Sequence, residues 1–182
     1  MERTNLLIFI SGGVRSGKSS LAERMSVDCY KQKQSNALYY MATTKRKNDE
    51  EMVERIKLHQ QSRSSLWTTI EEPYRIDERM STMLPNSVLL IDCLTVWSSN
   101  VLFSENKTYE TMIKRLSSLF QIAEEKQITV IMVSNDVNEE LPIDDEGVQS
   151  YVYSLEAVHK YVVKNCNQAI QVVAGCPIRW KV

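Results

Sequence analysis

Glycine is scarce in this chain, with 5 among 182 residues, where an ordinary usage of about 7% would give roughly 13. Proline and cysteine number 4 each and histidine only 2. There is no low-complexity run and no repeat. The cysteines, Cys29, Cys93, Cys166 and Cys176, form no C-x-x-C pair and have no metal-ligand spacing with the histidines. That pattern reads as reduced thiols in a cytoplasmic protein rather than a metal or disulfide framework. Excess charge of one sign is lacking too: the formal net charge is −1, so no general attraction to nucleic acid or an anionic membrane is expected. No apolar run reaches the length of a membrane span. The run at residues 6–10 is too short for a signal-peptide core, and the stretch 87–103 is broken by Asp92, Ser98, Ser99 and Asn100. With 43% apolar and 25% charged residues, the composition predicts one globular domain spanning 1–182.

Segments of strand and helix character alternate along the chain. Residues 6–10 (Leu-Leu-Ile-Phe-Ile) are a short continuous apolar run, as a strand buried on both faces requires. Residues 19–30 lack glycine and proline and place Leu21, Met25 and Cys29 four apart, a helical stripe. Further strands are expected at 37–42, 66–70, 87–92 and 128–133. Helices are expected at 49–61, where Asp49, Glu50 and Glu51 suit the first turn, and from Glu72-Pro73, with proline in the first position. Tyr109, Met112, Ile113, Leu116, Leu119, Phe120 and Ala123 recur at three and four, a clear amphipathic helix. Another helix is expected over 148–166, with Val152, Leu155, Val162 and Cys166 on one face. The end reads as two strands, 169–174 and 178–182, across a tight turn at Gly175-Cys176-Pro177. Buried strands alternating with helices predict the α/β class: a mostly parallel sheet flanked by helices, with a C-terminal antiparallel hairpin.

Most of the glycine sits in one place. Gly12, Gly13, Val14, Arg15, Ser16, Gly17, Lys18 and Ser19 fit G-x-x-x-x-G-K-[ST], between a predicted strand and a predicted helix. Glycines let the backbone take positive φ and curl its N–H groups round a phosphate. The helix that follows offers free amides and the positive end of its dipole to the same anion. Lys18 is placed to neutralise the β- and γ-phosphates, and the Ser19 hydroxyl to ligate magnesium. Asp92, at the end of an apolar strand, is where such folds hold the acid for magnesium or its water; alone, such a carboxylate is as readily a helix N-cap. Together these residues predict a nucleoside triphosphate taken with Mg2+.

On the expected helix at 49–61, Arg55, His59 and Arg63 stand four apart. Two cations beside an imidazole keep it neutral and nucleophilic and can grip a triphosphate, an arrangement suited to attack on an α-phosphorus. On spacing alone, a surface histidine on a charged helix is the simpler reading. His159, beside Lys160, has no such setting and reads as structural.

The residues resemble the bifunctional adenosylcobinamide kinase/adenosylcobinamide-phosphate guanylyltransferases of cobalamin biosynthesis. The resemblance runs through the glycine-rich loop with its arginine before Ser-Gly-Lys-Ser. It continues in Tyr40-Met41-Ala42-Thr43, Asp49-Glu50-Glu51-Met52, Arg55-Ile56, His59, Arg63, Trp67 and Glu71-Glu72-Pro73. Asp92-Cys93-Leu94-Thr95, Trp97, Asn100, Leu102 and Val133-Ser134-Asn135 extend it. The resemblance implies that His59 attacks GTP and carries GMP covalently, with Lys18 as the other catalytic group. It implies that the phosphate of adenosylcobinamide phosphate then accepts the GMP. It also implies that the same enzyme phosphorylates adenosylcobinamide, with ATP or GTP as donor. The positions of Ala42, Thr43, Thr44, Gln60, Gln61, Ser62, Arg63, Glu71 and Asp92 match those around the nucleotide in the family, and a homotrimer is implied.

The departures cluster late. Asn135-Asp136-Val137-Asn138 stands where the family continues Asn-Glu-Val-Gly, and residues 148–161 lack its arginine-rich stretch and its Asn-Gln. Two other readings remain: a P-loop kinase for another small alcohol, with His59 only positioning phosphate, and a nucleotide-binding subunit without catalysis. The joint presence of Lys18, Ser19 and Asp92 argues against the second.

Overall fold

A computed structural model describes residues 5–45, 65–136 and 145–182. The helix expected at 49–61, and with it Arg55, His59, Gln60, Gln61, Ser62 and Arg63, lies outside the described residues. The elements run β1 (Leu7–Gly12), α1 (Lys18–Gln32), β2 (Leu38–Ala42), β3 (Trp67–Glu71), α2 (Ile76–Ser81), β4 (Val88–Ile91), α3 (Leu94–Ser99), then a π-helical turn (Asn100–Ser104). α4 (Tyr109–Lys126), β5 (Thr129–Asn135), α5 (Glu146–Asn165), β6 (Gln168–Val173) and β7 (Cys176–Lys181) complete them.

The strands form one sheet of order β3-β2-β4-β5-β1-β6-β7. All neighbours are parallel except β6 and β7. Alternation along each strand sends successive side chains to opposite faces. Leu7, Phe9, Tyr39, Met41, Leu89, Ile91, Val130 and Met132 pack with α2, α3, α4 and α5. Ile8, Ile10, Leu38, Tyr40, Leu90, Ile131 and Val133 face the layer that contains α1. Because both faces are covered, the strands read as continuous apolar runs rather than alternating ones.

One expected stripe holds and three details differ from the sequence expectation. In α1, Leu21, Met25 and Cys29 pack half-buried against the core, with Lys18, Ala22 and Ser26 fully buried beside them. Small side chains let the helix sit close to the sheet, and the Ser26 hydroxyl is satisfied by donating to the Ala22 carbonyl at 2.7 Å. The helix expected from Pro73 starts at Ile76, with Arg75 as its N-cap. The Glu72 carboxylate there accepts from the N–H groups of Tyr74 and Arg75, closing a turn ahead of the helix. Within the broken apolar stretch lies α3, with Leu94, Trp97 and Ser98 buried. The hairpin turn is Ala174-Gly175, since Val173 pairs with Cys176. Both turn residues have positive φ, 47° and 83°, as a two-residue primed turn demands. Among the described residues, no helix is long and apolar enough to cross a membrane.

Candidate nucleotide site

The C-terminal edge of the parallel strands gathers most of the residues that the sequence singles out. β1 ends at Gly12 and the glycine-rich loop leads directly into α1, whose N-cap is Gly17 in a left-handed conformation (φ 94°). No side chain among the described residues caps that end, so the first-turn N–H groups of a 15-residue helix are available to an anion. At Gly12 the constraint is space: a Cβ would stand 2.5 Å from the Val172 carbonyl oxygen and 2.6 Å from Ser16 Oγ. Gly13 has neither constraint, because a Cβ there would meet nothing within 4 Å.

The loop is fastened from several sides. Lys18 is buried, and its ammonium donates to the Gly13 carbonyl at 2.9 Å. Asp136 N–H donates to the Gly12 carbonyl at 3.1 Å, and Gly175 N–H to the Ser16 carbonyl at 2.9 Å. The Ser16 hydroxyl is buried without a hydrogen-bond partner among the described residues, a cost that an entering acceptor oxygen would remove.

Asp92 follows β4, half-buried, and the cap of α3 is Cys93, not Asp92. One strand, β5, separates β4 from β1, so Asp92 and the loop stand about 10 Å apart across the sheet. Burial pushes the Cys93 thiol up, and neighbouring Asp92 adds to this, so Cys93 stays a protonated thiol beside the carboxylate. Ser19, exposed in the first turn of α1, and Asp92 are both hard oxygen donors. Such a donor set suits magnesium.

Further along the edge, Ala42 and Glu71 are paired at the ends of β2 and β3, and Thr43 and Thr44 follow Ala42. These two loops are clamped by Trp97 and Asn100, which the sequence resemblance includes without a role, and by Arg115, which it does not include. Asn100, opening the π-helical turn, donates to the carbonyls of Thr43 (2.8 Å) and Pro73 (3.2 Å). Trp97 Nε1 and Arg115 both donate to the Tyr74 carbonyl. Arg115 is paired with Glu105, whose carboxyl it holds below the usual range. A π-helical turn often marks a functional site; its traces in the sequence are the resemblance at Asn100 and Leu102 and the i, i+3, i+4, i+7 spacing of Leu94, Trp97, Ser98 and Val101. Thus the phosphate loop, Asp92, Thr43, Thr44 and Glu71 share one edge.

A parallel sheet with a glycine-rich loop leading into an uncapped helix, and an acid across one intervening strand, defines a P-loop nucleotide-binding α/β protein. A KaiC-like protein from Pyrococcus horikoshii has the same fold, at a TM-score of 0.51 and 12% identity over 91% of this chain and 71% of that one. Residues 8–180 match the family described as cobinamide kinase/cobinamide phosphate guanyltransferase, and the chain belongs to that family. It is 31% identical over 173 residues, 94% of its length and 95% of the relative's, to the bifunctional adenosylcobalamin biosynthesis protein CobP of Pseudomonas aeruginosa. It is 27% identical to the bifunctional adenosylcobalamin biosynthesis protein CobU of Escherichia coli, covering 97% of this chain and all (100%) of that one.

Proposed function

We propose that the protein phosphorylates adenosylcobinamide and then transfers GMP from GTP to adenosylcobinamide phosphate, through a covalent His59–GMP intermediate. The observation that carries this reading is the phosphate loop on the uncapped α1, opposite Asp92, in a chain that belongs to this family. The whole chain, 1–182, acts as a single nucleotide-binding domain.

In the kinase step, the substrate hydroxyl oxygen forms a bond to the γ-phosphorus of ATP or GTP. The bond from that phosphorus to the β,γ-bridging oxygen breaks, the nucleoside diphosphate leaves, and the hydroxyl proton passes to solvent. Lys18 leaves the Gly13 carbonyl for the triphosphate and offsets charge on the β- and γ-oxygens. Amides of the loop and of the first turn of α1 receive the remaining phosphate oxygens. Ser19 and Asp92 would hold Mg2+, which when bound supplies charge neutralisation for the phosphates. In the guanylyl step, a neutral nitrogen of His59 attacks the α-phosphorus, an N–P bond forms and pyrophosphate leaves. A phosphate oxygen of adenosylcobinamide phosphate then displaces His59 and gives the diphosphate-bridged product. Ala42, Thr43, Thr44, Glu71, Gln60, Gln61, Ser62 and Arg63 would surround the guanosine, and the Asn100 clamp orders the first of these loops.

The homotrimer belongs to the same reading. It is supported by the edge strand β7 and the C-terminal residue after it, where Ile178, Trp180 and Val182 are 42%, 70% and 87% exposed; light scattering on the purified protein decides it.

The deciding experiment uses GTP labelled at the α-phosphate. Acid-labile label on the protein, absent from His59→Ala and chased by adenosylcobinamide phosphate, is the expected result. Label that persists in His59→Ala excludes His59 as the nucleophile.

A further inference from the structure

Helix α5 lies in the part of the chain that departs most from the family's pattern, and it carries a histidine that the nucleotide chemistry does not use. His159 Nε2 is 2.6 Å from Ser134 Oγ. Ser134 Oγ is 2.9 Å from Thr95 Oγ1. Thr95 Oγ1 in turn accepts from the Asn135 N–H at 2.8 Å. Ser134 is 0% and Thr95 8% exposed, and the Phe9 ring packs on the imidazole, centroids 5.2 Å apart. Two turns earlier on the same helix, the Tyr151 hydroxyl donates to the Thr95 carbonyl at 2.9 Å. Helix α5 therefore holds the first turn of α3 at two points.

Counting protons gives the chain a direction. If Nε2 accepts, Ser134 donates to His159, Thr95 donates to Ser134, and Thr95 accepts from Asn135. Each hydroxyl then donates once and accepts once. If Nε2 donated, Ser134 would donate to Thr95, whose oxygen would accept twice and whose own proton would be left to the Cys93 sulfur, a weak acceptor. The first arrangement gives both hydroxyl protons a nitrogen or oxygen acceptor, and in a buried network a poor partner is costly.

The joined elements matter more than the bonds themselves. Thr95 comes three residues after Asp92. Ser134 and Asn135 end β5, and the next residue, Asp136, donates its N–H to Gly12 of the phosphate loop at 3.1 Å. One connected path thus runs from α5 through the β4–α3 junction and the end of β5 to the loop. We propose that His159 is a positioning residue for the nucleotide site, acting through Ser134 and Thr95 to set the phosphate loop against Asp92. This rests on the reading that the strand-end edge holds the triphosphate.

The full-length protein tests it in two independent ways. Imidazole 15N spectra should show His159 with Nδ1 protonated and Nε2 bare; a protonated Nε2 overturns the proposal whether or not the protein turns over GTP. The second test compares His159→Leu with His159→Gln, whose side-chain oxygen can reach the place of Nε2. Protein guanylylation, kinase turnover and binding of a fluorescent GTP analogue are measured on each. The Leu variant should lose about tenfold in kcat with KM for GTP within about threefold, and Gln should restore most of it. A folded Leu variant with unchanged kcat overturns the proposal, as does a loss that Gln does not repair. Should the Leu variant fail to fold, Ser134→Ala with and without His159→Asn decides, the Asn side chain being too short to reach Ser134. Ser134→Ala should lose about as much kcat as His159→Asn, and the double variant no more than either; an unchanged Ser134→Ala, or losses that multiply, overturn the shared path. A wild-type protein that binds the analogue but neither guanylylates itself nor phosphorylates a corrinoid would undo the proposed function and leave the tautomer result standing.

Discussion

The backbone N–H of Gly175, at the tip of the C-terminal hairpin, donates to the carbonyl of Ser16 inside the phosphate loop at 2.9 Å. The last hairpin of the chain thereby braces its first loop. Its turn is strained at Ala174, which holds φ 47° without the side-chain hydrogen bonding that lets asparagine tolerate this region. Ala174→Asn should therefore stabilise the protein by about 1 kcal/mol and raise Tm by about 2–4 °C. Gly175→Ala, forced to keep φ 83°, should lower stability by about 1–2 kcal/mol. Thermal melts of both variants check the pair; opposite signs are the expected outcome.

The glycines of the loop should separate into different roles. Gly12→Ala drives a methyl against the backbone carbonyl of Val172, which cannot swing away as a side-chain end could. A loss of about 2 kcal/mol is expected in urea unfolding. Gly13→Ala should change stability by less than about 0.5 kcal/mol, since the space is open. Any effect of Gly13→Ala should then fall on nucleotide affinity, read by titration with a fluorescent GTP analogue.

Removing the Ser16 hydroxyl should help the fold and hurt the site. That hydroxyl is buried without a partner among the described residues, so Ser16→Ala is expected to keep or raise stability by up to about 1 kcal/mol. Affinity for the fluorescent nucleotide should fall by about fivefold, the loss of one hydrogen bond. A variant with weaker folding and unchanged affinity would contradict the assignment.

The fold should weaken in mild acid because of His159. Burial lowers its pKa from 6.5 to about 4, with Asp136 acting weakly the other way. The unfolded chain takes up this proton below about pH 6.5 and the folded one only below about pH 4, so stability rises with pH between those values. The contribution is complete above about pH 6.5. It is lost on acidification toward pH 4, by about 3 kcal/mol in all. Urea unfolding at pH 7 and pH 5 checks this, with His159→Gln as the control: it should flatten the slope in that window.

Much of the architecture was legible because local chemistry was unambiguous. Apolar runs such as Leu89 to Ile91 are too short for helices and lie between turn signals, and full burial of a parallel sheet keeps them uniformly apolar. The stripe at Met112, Leu116, Leu119 and Ala123 needed only the helical period. The loop from Gly12 to Ser19 was legible because its glycines and the Lys-Ser pair stand at a fixed spacing between a strand and a helix, and Asp92 because it closes an apolar run. The stripe of Leu21, Met25 and Cys29 marks the core side of α1 but not its most deeply buried residues, since Ala22 and Ser26 are buried for their smallness rather than their hydrophobicity. The helix at Leu94–Ser99 was missed because Ser98, Ser99 and Asn100 interrupt the apolar pattern, so that its helical spacing includes a buried serine.

What the sequence by itself determined is which anion-binding loop this chain carries and which strand and helix enclose it, because those features arise between residues close in the chain. Tertiary structure alone decided what meets that loop, Gly175 on Ser16 and Asp136 on Gly12, and what ties the rest of the strand-end edge together, Asn100 across Thr43 and Pro73 and His159 behind Ser134 and Thr95. Each of these contacts joins residues far apart in sequence. Their pairing is set by the order in which strands enter the sheet, and no local period or spacing records that order.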